Sequence, residues 1–351
     1  MIMLFTALRD MSWRKWRFVI AVAVTGLVFA MTLVLTGLSN GFHVEDERTV
    51  DSLGVDEFVI KTGATGPFLG SAPFPADELQ EITNAPGVAS AAPLEYKGAT
   101  FQNGGSTRDA AVFGAPQDGP GMPAISHGRA PSSPSEIAVS STIGRQIGDE
   151  LVIASHKMLI VGIVDNSTAL AKTPNLFLTT EGVQQLAYGG QPLVASIGIR
   201  GTLSEVPDGF RVVDRSVAVD DLMRPTKVAV DAITIVADLL WIVAALIVGA
   251  VVYLSALERM RDFAVFKAIG VATRSVLAGL VLQAIVVAVV AAAFGAALSR
   301  LLGPLFPMHV IVPAPAYPLL AAIAVAIGLL ASAAAVRRAA TVDPALAFGG
   351  P

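Results

Sequence analysis

The side chains best suited to bind a partner lie in residues 257–270, a short polar segment between two hydrophobic stretches. Phe263, Phe266 and Ile269 recur at three-residue steps, so a helix would place them on one face. The other side chains in the segment are mostly charged: Glu258, Arg259, Arg261, Asp262 and Lys267. Gly270 follows, where helices commonly end. Phenylalanines framed by charges indicate docking onto another protein. A turn lying on the membrane surface is the alternative that periodicity leaves open.

Motifs for nucleotide hydrolysis and metal binding are absent from the sequence. There is no glycine-rich phosphate loop ending in Lys-Ser/Thr and no His-Glu-x-x-His. The four histidines, His43, His127, His156 and His309, have no ligand spacing. The chain has no cysteine, which excludes disulfides and thiolate sites. We therefore expect a chain that is not an enzyme and holds no cofactor or metal.

Residues 258–270 read Glu-Arg-x-Arg-Asp-Phe-Ala-Val-Phe-Lys-Ala-Ile-Gly. This run resembles the Glu-Arg-x-Arg-Glu-[Phe/Tyr]-Ala-x-Leu-Lys-Ala-x-Gly signature of MacB/FtsX/DevC-like (type VII) permeases of ABC transporters. Met260 falls at a variable position, Phe266 replaces another apolar residue, and Asp262 keeps the charge of glutamate. The resemblance implies a coupling helix that docks on an ABC ATPase subunit. It assigns the contact to Glu258, Arg259, Arg261, Asp262, Phe263, Phe266 and Lys267.

The same resemblance implies a dimer of permeases, homo- or heterodimeric, with two ATPase subunits that bind the ATP and Mg. A periplasmic adaptor or another envelope protein is a further expected partner. Two other parts of the sequence support the resemblance. Gly148-Asp149-Glu150-Leu151 followed by the strand 159–164 is similar to the family's periplasmic core domain. Asp343-Pro344 in the tail is similar to the family's C-terminal ending.

Composition indicates a membrane protein. The chain has 351 residues, 54% of them hydrophobic and only 15% charged, with a mean hydropathy of +0.65. Soluble domains carry about 25% charged residues. Residues 39–238 hold 24 of the 28 acidic side chains and 13 basic ones, so the only large polar region is acidic and nucleic-acid binding is disfavoured.

We predict an α-helical integral membrane protein with four transmembrane helices and an inserted extracytoplasmic α+β domain, similar to the MacB-like periplasmic core domain. The predicted order is a cytosolic amphipathic helix (1–17), TM1 (18–38), the extracytoplasmic domain (39–225), a stalk with TM2 (226–256), the coupling helix (257–274), TM3 (275–300), an outer loop (301–316), TM4 (317–336) and a cytosolic tail (337–351). Residues 1–17 could instead begin a signal peptide, but the 21 uncharged residues of TM1 are long enough to span.

Basic residues fix the predicted orientation. The N-terminus, the 256–275 link and the tail carry ten basic residues, and the 301–316 link carries none. Loops rich in basic residues stay in the cytosol, so we expect both termini on the cytoplasmic side of the cell membrane and the acidic domain on the outer side. Asp231 and Asp238 lie seven residues apart on one helix face, and we expect them on an extracytosolic extension of TM2.

Short alternating runs predict the strands of the outer domain: 57–61, 109–113, 136–139, 150–153, 158–164, 176–178 and 194–199. Short helices are expected near 76–83 and 180–187. The apolar loop 67–75 could be a contact surface or could be tucked into the domain.

Small residues four apart predict close helix packing in the membrane. One row is Ala288, Ala292 and, beside it, Gly295. A second row is Ala324, Gly328 and Ser332. An alanine-rich composition could also produce such rows by chance.

The expected function is that of a permease subunit that couples ATP hydrolysis by its partner to movement outside the membrane, with export by mechanotransmission. Two alternatives remain open. One is an FtsX-like regulator of cell-envelope enzymes that moves no substrate. The other is a membrane-anchored ligand-binding receptor, which leaves the segment 258–270 without a role.

Overall fold

The computed structural model describes residues 15–103, 105–258 and 273–340. The chain divides into two compact units. The outer unit is Phe42–Val230, and the membrane unit combines the residues up to Gly41 with those from Asp231 onward. The outer unit thus covers nearly the same residues as the predicted extracytoplasmic domain.

Four long helices carry the apolar stretches: α1 (Lys15–Ser52), α5 (Lys227–Glu258), α6 (Thr273–Leu302) and α7 (Ala316–Ala340). Within the described part of the chain, three stretches are long and apolar enough to cross a membrane, namely Phe18–Ser52, Lys227–Ala250 and Ala284–Leu305. The apolar part described in α7, Ala316–Ala326, is shorter than a span. The fourth predicted span therefore remains a prediction. Asp231 and Asp238 are exposed on α5, which already begins at Lys227.

Small side chains let the helices of the membrane unit approach closely. Ala288, Ala291 and Ala292 of α6 are buried in one cluster with Phe29 and Leu33 of α1, and Ala244, Leu320 and Ala324 complete it. A Cβ added to Gly295 would lie 2.7 Å from Phe29 Cβ and 2.8 Å from the Gly26 carbonyl oxygen. These distances leave no room for a larger side chain at position 295. Such close approach is typical of helices that pack through small residues in lipid. For Gly328 and Ser332 the structure describes the helix backbone only.

A second close contact joins α1 to the segment before α7. A Cβ on Gly37 would meet the side chains of Val310 and Val312 at 2.8 Å, and one on Gly41 would lie 1.9 Å from the His309 carbonyl oxygen. Two hydrogen bonds fix the segment: Ile311 N–H donates to the Gly37 carbonyl at 2.8 Å, and Asn40 Nδ2 donates to the Ile311 carbonyl at 2.8 Å. The two glycines therefore form the surface on which the loop lies.

We expect Gly41→Ala to destabilise the protein. Alanine favours a helix interior over glycine by about 0.5–1 kcal/mol. Overpacking a tight contact costs about 1–3 kcal/mol, and here the new methyl would overlap a backbone carbonyl. The overlap outweighs the propensity gain, so the midpoint of thermal unfolding in detergent should fall. Val24→Ala, on the exposed face of the same helix, is the matched control. An unchanged or raised midpoint for Gly41→Ala would contradict this packing.

The outer unit is built on an eleven-stranded arrangement of β1 (Glu57–Lys61), β3 (Val88–Asn103), β4 (Ser106–Gly114), β5 (His127–Gly128), β6 (Glu136–Ser140), β7 (Glu150–Ile153), β8 (His156–Val164), β9 (Thr168–Ala169), β10 (Thr173–Leu178), β12 (Ser196–Gly201) and β13 (Phe210–Val213). These strands run in the order β13-β1-β12-β3-β4-β10-β6-β8-β5, with β7 beside β3 and β8, and β9 beside β10. A separate pair joins β2 (Phe74–Pro75) and β11 (Leu193–Val194). Between the strands lie α2 (Leu79–Thr83), α3 (Thr180–Tyr188) and α4 (Arg215–Met223).

Two apolar clusters support the two halves of this arrangement. One half packs around β1 and β12, with Val59, Ile197 and Ile199 fully buried. The other packs around β6, β8 and β10, with Ile137, Ile160 and Leu176 fully buried. Strand β3 belongs to both halves, since residues 88–94 pair with β12 and residues 95–103 pair with β4. The α+β class is confirmed.

Candidate functional site

The residues to which the resemblance assigns the ATPase contact lie outside the described part of the chain, apart from Glu258. That residue ends α5. The positions of Arg259, Arg261, Asp262, Phe263, Phe266 and Lys267 therefore stay predictions. The described residues show a different cluster that could carry function: two buried carboxylates at the outer end of α1.

Glu45 and Asp46 lie about two turns before the end of α1, in the outer unit, and both are buried. Asp46 Oδ1 accepts from the Leu170 N–H at 3.2 Å, and Glu45 Oε2 accepts from the Lys172 N–H at 3.1 Å. Glu45 Oε1 accepts from the Thr168 hydroxyl at 3.1 Å. One turn further along α1, Thr49 donates to the Thr168 carbonyl at 2.9 Å. The helix thus holds residues 168–172 by four hydrogen bonds, and we call this contact the clamp.

The turn held by the clamp has an unusual backbone. Leu170, Ala171 and Lys172 have φ of 47°, 66° and 65°, so three successive residues with side chains are left-handed. Each such residue costs about 1–2 kcal/mol relative to a right-handed one. Strain of this kind persists only where surrounding contacts impose it. The amides of Leu170 and Lys172 point at the two carboxylates, so the clamp imposes this conformation.

Removing either carboxylate should loosen the turn. We expect Glu45→Ala and Asp46→Ala each to raise the amide hydrogen exchange rate of the peptide that covers residues 168–173 by at least tenfold, because an N–H loses its acceptor and the strain is released. Glu47→Ala is the control, since its carboxylate reaches only the exposed Arg215. Exchange in residues 168–173 that both variants leave unchanged would show that the turn keeps its shape without the clamp.

A third buried carboxylate, Glu95, lies on β3 and is 1% exposed. Burial raises its pKa to about 8, while the Tyr188 hydroxyl and the Ala195 amide oppose the rise. Neither of its oxygens has a hydrogen-bond partner of regular geometry among the described residues. Burial therefore affects the pKa of Glu95 more than the opposing contacts with Tyr188 and Ala195 do. Glu95 is protonated at neutral pH in the folded chain.

This pKa gives the folded state a defined pH dependence. Glu95 in the unfolded chain ionises near its ordinary pKa of 4.5, and in the folded chain near 8. Between these values the folded state holds the extra proton, so stability falls as pH rises from about 4.5 to about 8. We expect Glu95→Gln to flatten this part of the unfolding curve and to raise stability at pH 8. Glu57→Gln on β1 is the control, as its carboxylate already accepts from the Leu203 N–H. The same slope in wild type and Glu95→Gln would contradict the assignment.

The loop 67–75, for which a contact surface was one alternative, is tucked into the outer unit. Asp221 accepts from the Phe68 N–H at 2.7 Å and from the Gly70 N–H at 2.8 Å, and Arg224 pairs with the same carboxylate at 2.7 Å. Phe68 is 3% exposed and packs edge-on against Phe58 and Phe113. The loop is therefore part of the core, with Leu69 exposed at its tip.

An open pocket of about 530 Å³ lies beside the clamp. Its walls come from β3 and β4, from the turn between β7 and β8, from the clamped turn and from α3: Tyr96, Lys97, Gly98, Ala99, Thr100, Asp109, Ala110, Ala154, Leu170, Thr173 and Leu186. Burial, and after it the charges of Asp46 and Asp221, raise the pKa of the Tyr96 phenol to about 12. The tyrosine therefore remains a hydrogen-bond donor at every physiological pH.

The site residues predicted in the membrane are brought together in part. Ala288, Ala292 and Ala324 share one buried cluster, and Gly295 lies against α1. Sequence reasoning missed the clamp and Glu95. The sequence contains the run Glu45-Asp46-Glu47 within the acidic region. Two of its carboxylates are buried and one is solvated. Which two are buried depends on the helical phase of α1 and on the position of residues 168–172.

The sequence matches two family models, the FtsX-like permease C-terminal model over residues 234–344 and the MacB-like periplasmic core domain model over residues 18–212. The chain is 66% identical over 349 residues to an uncharacterised ABC transporter permease of Mycobacterium tuberculosis (strain ATCC 25618 / H37Rv), covering 99% of this chain and 100% of that protein. A second permease of the same strain is 61% identical over 349 residues, with 99% and 100% coverage. The periplasmic region of MacB from Actinobacillus actinomycetemcomitans aligns with a TM-score of 0.35 and 10% identity, covering 48% of this chain and 92% of that one.

Proposed function

Since the chain belongs to the FtsX-like permeases of ABC transporters that carry a MacB-like periplasmic core domain, we propose that it couples ATP hydrolysis by a partner ATPase to conformational change in its outer unit. The work is done outside the membrane, on a substrate that is moved outward. ATP and Mg are bound by the partner, and two permease copies complete the transporter. The protein lies in the cell membrane with both termini in the cytoplasm.

One observation carries the proposal: two helices each contribute to both compact units. Helix α1 is continuous from Lys15 to Ser52, and its residues 42–52 belong to the outer unit. Helix α5 begins at Lys227 in the outer unit and ends at Glu258, where the segment that resembles the coupling helix starts. A helix is stiff along its axis because each turn is hydrogen-bonded to the next. Displacement at the cytosolic end of α5 is therefore passed along the helix.

The clamp links movement of α1 to the shape of the pocket. Glu45 and Asp46 hold a strained turn, and Leu170 of that turn and the adjacent Thr173 line the pocket. A packed turn with a strained backbone has few alternative conformations, so movement of α1 is converted to a discrete change. This supports mechanical transmission over a passive anchor, which has no use for a strained turn tied to a membrane helix.

The ATPase contact can be tested directly. We expect Phe263→Ala combined with Phe266→Ala to abolish permease-stimulated ATP hydrolysis, because under this proposal the two rings are the anchors of the ATPase contact, and hot-spot aromatics carry most of an interface's binding energy. Membrane insertion should persist. The measurement is ATPase turnover of the reconstituted complex in nanodiscs.

Met260→Ala is the matched control, as it removes an apolar side chain from the variable position of the same segment. It should leave turnover within about twofold of wild type. Full stimulated turnover in the double variant would refute the docking role. Loss of turnover in Met260→Ala as well would show that the segment is sensitive to any truncation, which argues against the two phenylalanines as specific anchors.

A further inference from the structure

The edge of β3 that faces away from β4 has an open length between two pairing partners. Residues 88–94 pair with β12, and Phe101 pairs with Ile153 of β7. The Leu94 carbonyl accepts from the Ala195 N–H at 3.1 Å, and the Thr100 carbonyl accepts from the Ala154 N–H at 3.2 Å. Among the described residues, no strand pairs with the stretch between these two points on that edge.

The backbone direction along this opening follows from strand geometry. In a β-strand the N–H and C=O of one residue point to the same edge, and successive residues alternate. Thr100 points away from β4, so Gly98 and Tyr96 do too. Lys97 and Ala99 point toward β4, where they are opposite Val112 and Ala110. Gly98 therefore offers a free donor and a free acceptor at the middle of the opening.

The opening has the size of one short strand. Leu94 to Thr100 spans six residue steps, about 20 Å at roughly 3.3 Å per residue. β12 and β7 limit it at its two ends, so a long strand from a second copy of the chain would collide with them. A segment of about four or five residues fits. The pocket of about 530 Å³ lies along this length and is lined by Tyr96, Gly98 and Thr100.

The residues around the edge favour a polypeptide over a purely apolar ligand. No atom lies within 4 Å of a Cβ placed on Gly98, so the sheet face at this residue is open. Two pairs of pocket-lining residues are successive in the β3–β4 ladder, Ala99 with Ala110 and Thr100 with Asp109, so they lie on opposite faces of the sheet. An extended peptide presents alternate side chains to opposite sides, which matches one apolar and one polar wall.

We propose that the open edge of β3 at Tyr96–Thr100 is a docking site for a short extended polypeptide segment, which adds as a strand between β12 and β7. The segment carries apolar residues on one face and polar residues on the other. The site does not depend on the ATPase contact, since it is formed entirely by the outer unit.

The test is selection from a random seven-residue peptide library on the full-length permease in nanodiscs, without the ATPase. Binding of each enriched peptide is then measured by fluorescence anisotropy on wild type, Gly98→Pro and Gly98→Ala. Proline removes the N–H that points to the open edge and leaves the bonds to β4 intact. Alanine keeps the N–H and meets no atom within 4 Å. We expect at least tenfold weaker binding to Gly98→Pro and unchanged binding to Gly98→Ala.

A second measurement leaves the protein unaltered. Each enriched peptide is made in two versions, N-methylated at its odd or at its even residues. Only one edge of an added strand bonds to β3, so one version should lose binding and the other should keep it. Equal loss in Gly98→Ala and Gly98→Pro would indicate a compact ligand that fills the pocket, and would overturn the proposal. So would enriched peptides that tolerate both methylation patterns, or a selection that enriches none.

Discussion

Two features that are each unfavourable alone stabilise one another at the outer end of α1. Burying a carboxylate costs several kcal/mol unless hydrogen bonds replace its water. Three successive left-handed residues cost about 1–2 kcal/mol each. The left-handed turn directs the amides of Leu170 and Lys172 at Asp46 Oδ1 and Glu45 Oε2, and these hydrogen bonds in turn favour the left-handed conformation.

This mutual dependence explains the surrounding contacts. Thr49 donates to the Thr168 carbonyl and accepts from Asn175 at 3.0 Å, so the helix is tied to the start of β10 as well as to the turn. Strand β10 pairs with both β4 and β6 and lies at the centre of one sheet. The clamp therefore attaches α1 to a strand that is paired on both edges.

The sequence predicts those parts of the fold that depend on local pattern. Strands such as 57–61 and 150–153 match the observed β1 and β7, because alternation and flanking turn residues mark a strand within a few positions. The row Ala288–Ala292 could be read for the same reason, since its spacing is helical and its residues are small. Strand β3 was missed: its sixteen residues include Pro93 and Gly98, which normally argue against a strand interior.

Features that depend on distant residues could not be predicted. Glu45 and Glu47 are chemically alike and two positions apart, and only the location of residues 168–172, more than a hundred positions later, buries one and leaves the other accessible. Likewise, Gly41 resembles any other helical glycine until the His309 carbonyl oxygen is placed 1.9 Å from its missing Cβ. Long-range contacts determine both features, and neither can be recognised from the spacing of residues in the sequence.

The open edge of β3 and the clamp meet at one residue, and this has a thermodynamic consequence. Leu170 lines the pocket, and its N–H is held by Asp46 of α1. A change in α1 that alters the turn also alters the pocket wall, so the two ends of this contact are linked. Coupling between two binding events is reciprocal. An occupant of the pocket that favours one form of the turn must therefore bias α1 by the same free energy with which α1 biases the occupant. Pro93 and Gly98, which obscure β3 in the sequence, lie on a strand whose edge β12 and β7 leave unpaired between them among the described residues, next to the turn bonded to α1.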